Sequence, residues 1–324
     1  MRFCPDYQLN ILPEDGFDIQ MDALAEKLEL CRTEGYFEGF DGEKLYYEYF
    51  LSEGSRGAVV VVHGLSEFSK KYHEFAGYLC NQGYDVFLYD QRCHGRSCRL
   101  TDRNDTIHVN KFADYSKDLH CFVEQVVRPV TDKTLYIYGH SMGGAVTAMY
   151  LADHPETFAN AVMSAPMIEP LTGGVNPVVA RLGLSLYVAF GDKKKKFWGS
   201  NEFDPDFKFE NSHDKSRARF ERNMRYRWAE ECYCTTPMTM GWVQQSLVLR
   251  KHFLKRSFMQ KLKTPILMIC GDTDKVVSMA AQKAFADKCL VCRQVVLRNA
   301  AHAMLLGEEQ TIYDHVKLTL DHFL

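Results

Sequence analysis

Short runs of apolar residues recur along the chain and predict buried strands. Ala58–Val62 contains four consecutive valines, which is typical of a strand that is covered on both faces in a parallel sheet. Similar runs occupy residues 84–89, 134–138, 161–163, 265–270 and 293–297. Ahead of them, residues 36–50 alternate between polar and apolar positions around Asp41-Gly42, a turn signal that predicts an antiparallel hairpin.

Segments with the apolar spacing of a helix lie before and between these runs. They cover residues 22–29, 71–81, 114–127, 141–153, 279–288 and 308–323. The alternation of strand and helix predicts an α/β fold with a mostly parallel central sheet flanked by helices. In such a sheet the functional residues gather beyond the carboxyl ends of the strands.

The alternation stops between residues 169 and 261, where no strand-like run occurs. Residues 177–184 and 220–228 have helical character, and a structureless loop of this length would be improbable in a compact domain. We therefore predict a single domain over residues 1–324. Within it we predict a helical cap over residues 169–240, inserted above the site.

The chemistry begins at the turn Gly139-His140-Ser141-Met142-Gly143, which follows an apolar run and precedes a helical one. A serine on a sharp strand-to-helix turn holds its hydroxyl clear of the backbone, at the N-terminus of the helix. The alternative is a solvated serine in a glycine-rich turn. The strand–turn–helix context favours Ser141 as a nucleophile.

A serine hydroxyl needs a base, and the base needs a group that orients it. His302 follows the last predicted strand and is the expected base. Asp272 and Asp274 follow the strand before it and compete for the third role. We expect Asp272 to cap its own turn, which favours Asp274 as the partner of His302.

The negative charge that develops on the substrate carbonyl needs fixed backbone donors. We expect them to be the amides of Met142, directly after the nucleophile, and of Leu65, in the loop after Ala58–Val62. Gly64 allows that loop to approach the substrate, and His63 is expected to hold the loop by hydrogen bonds. His140 either lines the polar end of the pocket or packs structurally.

Composition narrows the class of protein. The chain has 324 residues, of which 46% are hydrophobic and 25% charged, and this composition is ordinary for a soluble globular protein. The net charge is −3, so the composition does not indicate the strongly basic face that binds nucleic acid. No apolar run is long enough to span a membrane, and no secretory signal is visible. Eleven cysteines then indicate free thiols in a reducing cytoplasm.

Two local features have a second interpretation. Cys232/Cys234 and Cys289/Cys292 are close pairs, but no matching ligand pair accompanies them, so we expect ordinary thiols and no metal. The lysines at 193–196, beside aromatic residues, could contact an anionic lipid surface. Because the segment is short for an interfacial helix, we favour a solvated surface.

Several stretches together resemble the lysophospholipase / monoacylglycerol lipase group of α/β hydrolases, and within it the bacterial lysophospholipase L2 type. They are His63-Gly64 with Tyr72 downstream, the run at 90–97, the serine turn, and residues 164–167. The resemblance implies the α/β-hydrolase fold and hydrolysis of carboxylic esters through an acyl-serine, without metal or cofactor. It agrees with Ser141, Asp274 and His302 as the catalytic set.

Cys93 departs from the pattern, because members of this group usually have glycine there. The loop borders the site in relatives, so the resemblance does not fix the shape of the pocket there. A redox-sensitive thiol is one explanation of the change. A packing substitution is the one that we favour.

The expected function is that of a serine esterase or lipase. Its expected substrate is a small-molecule acyl ester, a single-chain acyl lipid such as a lysophospholipid or a monoacylglycerol. Membrane contact is expected to be peripheral at most. The alternatives on the same scaffold are a short-chain or aromatic-ester esterase and an aminopeptidase-like amidase. A non-catalytic ligand-binding protein is disfavoured, because such proteins usually lose part of a catalytic set that is complete in this chain.

Overall fold

The computed structural model describes residues 1–172 and 177–324. In this part of the chain eight strands form one sheet, in the order β1-β2-β4-β3-β5-β6-β7-β8. The strands are β1 Arg32–Glu38, β2 Lys44–Phe50, β3 Ala58–Val62, β4 Asp85–Tyr89, β5 Leu135–His140, β6 Asn160–Ser164, β7 Ile266–Gly271 and β8 Cys292–Leu297. β1 and β2 form the predicted hairpin and β2 pairs antiparallel with β4, whereas the remaining neighbours are parallel.

Helices cover both faces of the sheet, which confirms the predicted α/β class. The described helices are α1 Phe17–Cys31, α2 His73–Asn81, α3 Ala113–Phe122, α4 Arg128–Val130, α5 Met142–Asp153, α6 Pro177–Phe190, α7 Arg217–Ala229, α8 Met240–Ser246, α9 Leu249–Phe253, α10 Arg256–Met259, α11 Met279–Lys288 and α12 Glu309–Phe323. A π-helical turn, Val123–Val127, joins α3 to α4, so the helix predicted over 114–127 changes its hydrogen bonding at Val123.

The valines of β3 show why the central strands are apolar throughout. Val60 and Val62 belong to the hydrophobic core on one face of the sheet, and Val59 and Val61 belong to the core on the other. All of them are buried. Because neither face of β3 meets water, the alternating pattern of a half-exposed strand is absent, as the sequence predicted.

The described part of the segment between β6 and β7 carries the helices α6 to α10, joined by largely non-helical stretches. Sequence reasoning found α6 and α7 but missed the short helices α8, α9 and α10. Leu249, Phe253 and Phe258, from the end of this segment, join the same core as the strands. The cap boundary at 169–240 stays a prediction, and residues 173–176 within it lie outside the described residues.

The lysine run lies on the surface after α6. Lys193, Lys194 and Lys195 are exposed, and Lys193 donates to Asn110 while Lys196 pairs with Glu202. The solvated surface that we favoured stays a prediction. None of the described helices is long and apolar enough to cross a membrane.

Candidate active site

Ser141 occupies a strained backbone position between β5 and α5, with φ of 52° and ψ of −115°. Its neighbours have no room for side chains: a β-carbon on Gly143 would lie 2.0 Å from the carbonyl oxygen of Val62, and one on Gly139 would lie 2.3 Å from Thr147 Oγ1. The glycines therefore let α5 start directly against the end of β3. This close packing holds the Ser141 hydroxyl in a fixed position.

Ser141, His302 and Asp274 form a continuous hydrogen-bonded series. Ser141 Oγ lies 2.8 Å from His302 Nε2, and His302 Nδ1 lies 2.8 Å from Asp274 Oδ2. The three residues come from loops after β5, β7 and β8, whose carboxyl ends meet at one edge of the sheet. In this arrangement an imidazole can take the serine proton while a carboxylate fixes the orientation of its ring.

Asp274 is held by its own turn as well as by His302. Its Oδ1 accepts hydrogen bonds from the amides of Val276, at 2.8 Å, and Val277, at 3.1 Å. Burial favours the neutral acid, but the bond and charge of His302 and these two amides outweigh it and hold the pKa of Asp274 below its usual value. The carboxyl is thus kept ionised beside the imidazole.

The competing residue, Asp272, is exposed, and the argument by which it was set aside needs correction. We expected Asp272 to cap the turn, yet the carboxylate that caps this turn is that of Asp274. One residue combines both tasks because its two oxygens face different donors. The preference for Asp274 as the partner of His302 agrees with the geometry, although its reason was wrong.

The loop after β3 carries Gly64 and Leu65 and is held by His63, as expected. His63 Nε2 accepts a bond of 2.9 Å from the Gln91 amide, so its Nδ1 carries the proton and donates to the Gly64 carbonyl at 2.7 Å. Burial lowers the pKa of His63, which keeps the ring neutral. Within the described residues, the amide of Leu65 donates to no protein acceptor.

Met142, the other expected donor, is the first residue of α5. An amide at this position has no acceptor within its helix and lies at the positive end of the helix dipole. Neither amide thus donates to a protein acceptor among the described residues. Their role as an oxyanion hole stays a prediction.

His140 is buried beside the nucleophile, and its ring centre lies 5.0 Å from that of His302. Its Nδ1 lies 3.4 Å from Ser164 Oγ, and its Nε2 lies 3.7 Å from Glu67 Oε1. Burial, reinforced by the neighbouring His302 and Lys71, lowers the pKa of His140 to about 4 despite the opposing charge of Glu67. A neutral imidazole thus packs against the expected base.

Glu67 is a site residue that sequence reasoning missed. Its buried carboxylate accepts from the Gly64 amide and the Tyr72 hydroxyl, both at 2.6 Å, and pairs with Lys71 at 2.5 Å. The positive charge of Lys71 and these bonds overcome the effect of burial and lower the pKa of Glu67. The available signal was the spacing of Glu67, Lys71 and Tyr72 directly after the Gly64 turn.

Cys93 has a left-handed backbone, with φ of 61°, and its side chain is fully buried in the main core. A left-handed conformation suits the glycine that is usual in the group and strains a cysteine. Burial raises the pKa of the thiol, which makes it a poor nucleophile. These observations favour a packing substitution over a redox-sensitive site.

A large apolar cavity lies between α6 and α8, with a volume of about 740 Å³. It is lined by Leu184 and Tyr187 from α6, Trp242 and Val243 from α8, and residues that include Pro170. The catalytic side chains are not among its lining residues; the chain before Pro170 lies near the nucleophile, since the Met167 amide donates to the carbonyl of Ser141 at 2.9 Å. Its volume is within the range that binds small organic ligands.

Among the described residues, no three histidine, cysteine or acidic side chains gather as the ligands of a metal ion would. The close pairs Cys232/Cys234 and Cys289/Cys292 are free thiols. Around Ser141, the imidazole of His302 and the carboxylate of Asp274 already bond to protein groups.

The fold and the site agree with comparisons to known proteins. The family model described as serine aminopeptidase, S33, matches residues 53–310. The chain belongs to this family. The chain is 28% identical over 291 residues to lysophospholipase L2 of Escherichia coli strain K12, covering 86% of this chain and 83% of that protein. It is 23% identical to the monoacylglycerol lipase of Mycolicibacterium smegmatis, covering 79% and 84% respectively.

Solved structures show the same fold. A soluble variant of monoglyceride lipase from Saccharomyces cerevisiae, in complex with a substrate analog, superimposes with a TM-score of 0.71 at 18% identity, covering 89% of this chain and 94% of that one. A carboxyl esterase from Bacillus coagulans gives a TM-score of 0.68 at 16% identity, covering 91% and 99%. The resemblance and the α/β-hydrolase fold are thereby confirmed, and the protein is a hydrolase of the esterase and lipase group.

Proposed function

We propose that the protein is a serine carboxylic-ester hydrolase that cleaves single-chain acyl lipids, lysophospholipids or monoacylglycerols, through an acyl-Ser141 intermediate. The observation that carries the proposal is the bonded series from Ser141 through His302 to Asp274. The relatives named lysophospholipase L2 and monoacylglycerol lipase support the substrate class.

In the acylation step, His302 Nε2 accepts the proton of Ser141 as the oxygen attacks the ester carbonyl. The carbonyl oxygen becomes negative and accepts hydrogen bonds from the amides of Met142 and Leu65. When the tetrahedral intermediate collapses, the bond to the alcohol breaks and His302 returns its proton to the departing alkoxide. Asp274 keeps the imidazole oriented and stabilises its charged form.

Deacylation repeats these steps with water. His302 removes a proton as water attacks the acyl carbonyl, and it then protonates Ser141 as the fatty acid leaves. Each step passes one proton through the same imidazole, so that atoms and charge balance without an added group. The cavity between α6 and α8 would hold the apolar acyl chain.

A panel of esters of increasing chain length tests the substrate class. Turnover of nitrophenyl esters, monoacylglycerol, lysophosphatidylcholine and an aminoacyl amide is measured for the wild type, Ser141→Ala and His302→Ala. We expect a preference for long acyl chains and loss of all turnover in both variants. A preference for acetyl or butyryl esters would favour the short-chain esterase, and cleavage of aminoacyl amides alone would favour the amidase.

A further inference from the structure

Glu67 is the last residue of the oxyanion loop, residues 63–67, and forms a charge pair with Lys71. The catalytic steps proposed above do not use this pair. Glu67 is buried, and its partner Lys71 is largely buried as well. A buried carboxylate costs stability unless it is paired and hydrogen-bonded. Glu67 meets both conditions with Lys71, Tyr72 and Gly64, and each of these partners can be assessed separately.

The bond to Gly64 determines the path of the oxyanion loop. The Gly64 amide donates to Glu67 Oε2, which closes a tight ring across Leu65 and Ser66. A β-carbon on Gly64 would lie only 2.8 Å from that oxygen, so the backbone fits closely against the carboxylate. Glu67 thus takes the amide of Gly64, whereas the next amide in the chain, that of Leu65, has no acceptor among the described residues.

A second residue holds the same loop from outside. Arg227 of α7 donates to the carbonyl oxygen of Ser66 at 2.5 Å, and Ser66 has a left-handed φ of 59°. The loop is thus fixed at Gly64 from within and at Ser66 from α7. A strained residue persists when its surroundings determine its conformation, as these two bonds do.

Glu67 also reaches the other side of the site. Its Oε1 lies 3.7 Å from Nε2 of His140, whose ring packs against His302. Lys71 bonds to this same oxygen and balances its charge, so the pair adds no net negative charge where an oxyanion would form. One side chain therefore contacts the loop that precedes the site and the imidazole that supports the base.

From these contacts we infer that Glu67 is a positioning residue for the reaction: it holds the Leu65 amide in the orientation that binds the oxyanion. The inference rests on the proposed function, since it assigns a role within that reaction. Loss of Glu67 would displace the Leu65 amide without removing it. Such a change weakens binding of the transition state and leaves binding of the substrate nearly unchanged.

The test compares Glu67→Met, which cannot accept these bonds, with Glu67→Gln, which keeps one acceptor oxygen. Because a misplacement of about 1 Å can cost roughly 100-fold in rate, we expect Glu67→Met to lower kcat roughly 10- to 100-fold. We expect KM to change by less than about twofold, since only transition-state contacts are lost. Glu67→Gln should recover much of the lost rate.

Asp85→Asn is the matched control. Asp85 is also buried and accepts a backbone amide, that of Ser52 at 2.8 Å, but it starts β4 at the opposite edge of the sheet. Its loss should lower stability and leave kcat of the folded protein unchanged. If Glu67→Met does not fold, Tyr72→Phe decides, because it removes one bond to Glu67 Oε2 and should lower kcat severalfold at constant KM.

The outcomes separate this inference from the proposed function. The inference would be overturned if folded Glu67→Met, or Tyr72→Phe in its place, had a kcat within about twofold of the wild type. In that case an active wild type and an inactive Ser141→Ala would still support the proposed function. A wild-type protein that hydrolyses no ester contradicts the proposed function itself. A loss of kcat at unchanged KM, partly restored in Glu67→Gln, supports the role of Glu67.

Discussion

At the scale of single residues, six of the described residues other than glycine have the left-handed φ that usually favours glycine, and two of them can be compared directly. Ser141 and Cys93 both have positive φ, in the tight turn before α5 and in the loop after β4. At Ser141 the strain accompanies a fixed hydroxyl that bonds to His302. At Cys93 the buried thiol packs in the core and meets backbone groups of His108 and Leu100. Strain therefore marks function only where a reactive group depends on it.

The two aspartates near His302 give the first prediction. Asp274→Asn should lower kcat roughly 10³- to 10⁴-fold, because an amide no longer favours the proton on His302 Nδ1. Asp272→Asn should stay near the wild-type rate, since Asp272 is exposed. Steady-state kinetics on one nitrophenyl ester measures both, and equal losses would contradict the assignment of Asp274.

Cys93 gives a prediction about stability. Cys93→Gly should be more stable than Cys93→Ala by about 1 kcal/mol, because both variants lose the thiol but only glycine relieves the left-handed strain. In ordinary backbone positions the order is reversed, since glycine gains more entropy on unfolding. Urea unfolding of the two variants measures the difference, and a more stable alanine variant would argue against strain at this position.

At the scale of elements, α6 and α7 have different relations to the rest of the chain. α6 lines the apolar cavity together with α8 and exposes Leu182, Leu186 and Phe190 on its outer side. α7 is tied to the body by Arg219, whose guanidinium bonds to Glu74 of α2 and to the carbonyl of Leu12. One helix thus shapes the proposed acyl pocket, and the other fixes the oxyanion loop through Arg227.

The pocket beside α6 can be filled by substitution. A β-carbon on Gly183 meets no atom within 4 Å, so Gly183→Trp can extend into the cavity without displacing the helix. We expect the variant to reduce turnover of long-chain esters more than tenfold relative to its turnover of a butyrate ester. A tenfold change corresponds to a loss of roughly 1.4 kcal/mol in the binding free energy of the long chain. Leu182→Trp, on the exposed side of the same helix, is the control. Equal effects of the two variants on chain-length preference would contradict the pocket assignment.

The attachment of α7 can be measured by denaturation. Arg219 is almost fully buried and lies 2.6 Å from Glu74. Arg219→Met would leave Glu74 without its partner, and we expect a loss of about 3–5 kcal/mol in the free energy of unfolding. The double variant Arg219→Met with Glu74→Leu should recover much of this loss, whereas additive losses would show that the pair is not coupled.

At the scale of the whole molecule, the parallel sheet brings distant parts of the chain together. The serine, the acid and the base follow β5, β7 and β8, and the sequence predicted their meeting because carboxyl ends of parallel strands share an edge. Long apolar runs such as Ala58–Val62 were equally predictable, since burial on both faces removes every polar position. These features depend on chain order and pattern, which a sequence displays.

Other features of the site depend on which side chain contacts which atom, and these contacts could not be predicted from the sequence. We predicted that Asp272 caps the turn, but Asp274 does so. Both residue positions are compatible with capping, and only the path of the backbone determines which carboxylate reaches the amides. The spacing of Glu67 from Lys71 and Tyr72 was visible in the sequence, but its bond to the Gly64 amide depends on the path of the loop. The helices α8 to α10 are too short for a periodic pattern to stand out.

The central claim is that Ser141 is a nucleophile activated by His302. A fluorophosphonate probe, which reacts covalently with activated serines, tests it directly by mass spectrometry of the intact protein and its peptides. The account predicts one adduct, at Ser141, on the folded wild type, and none on Ser141→Ala. Absence of an adduct on the folded wild type, or an adduct of equal yield on the variant, would contradict it.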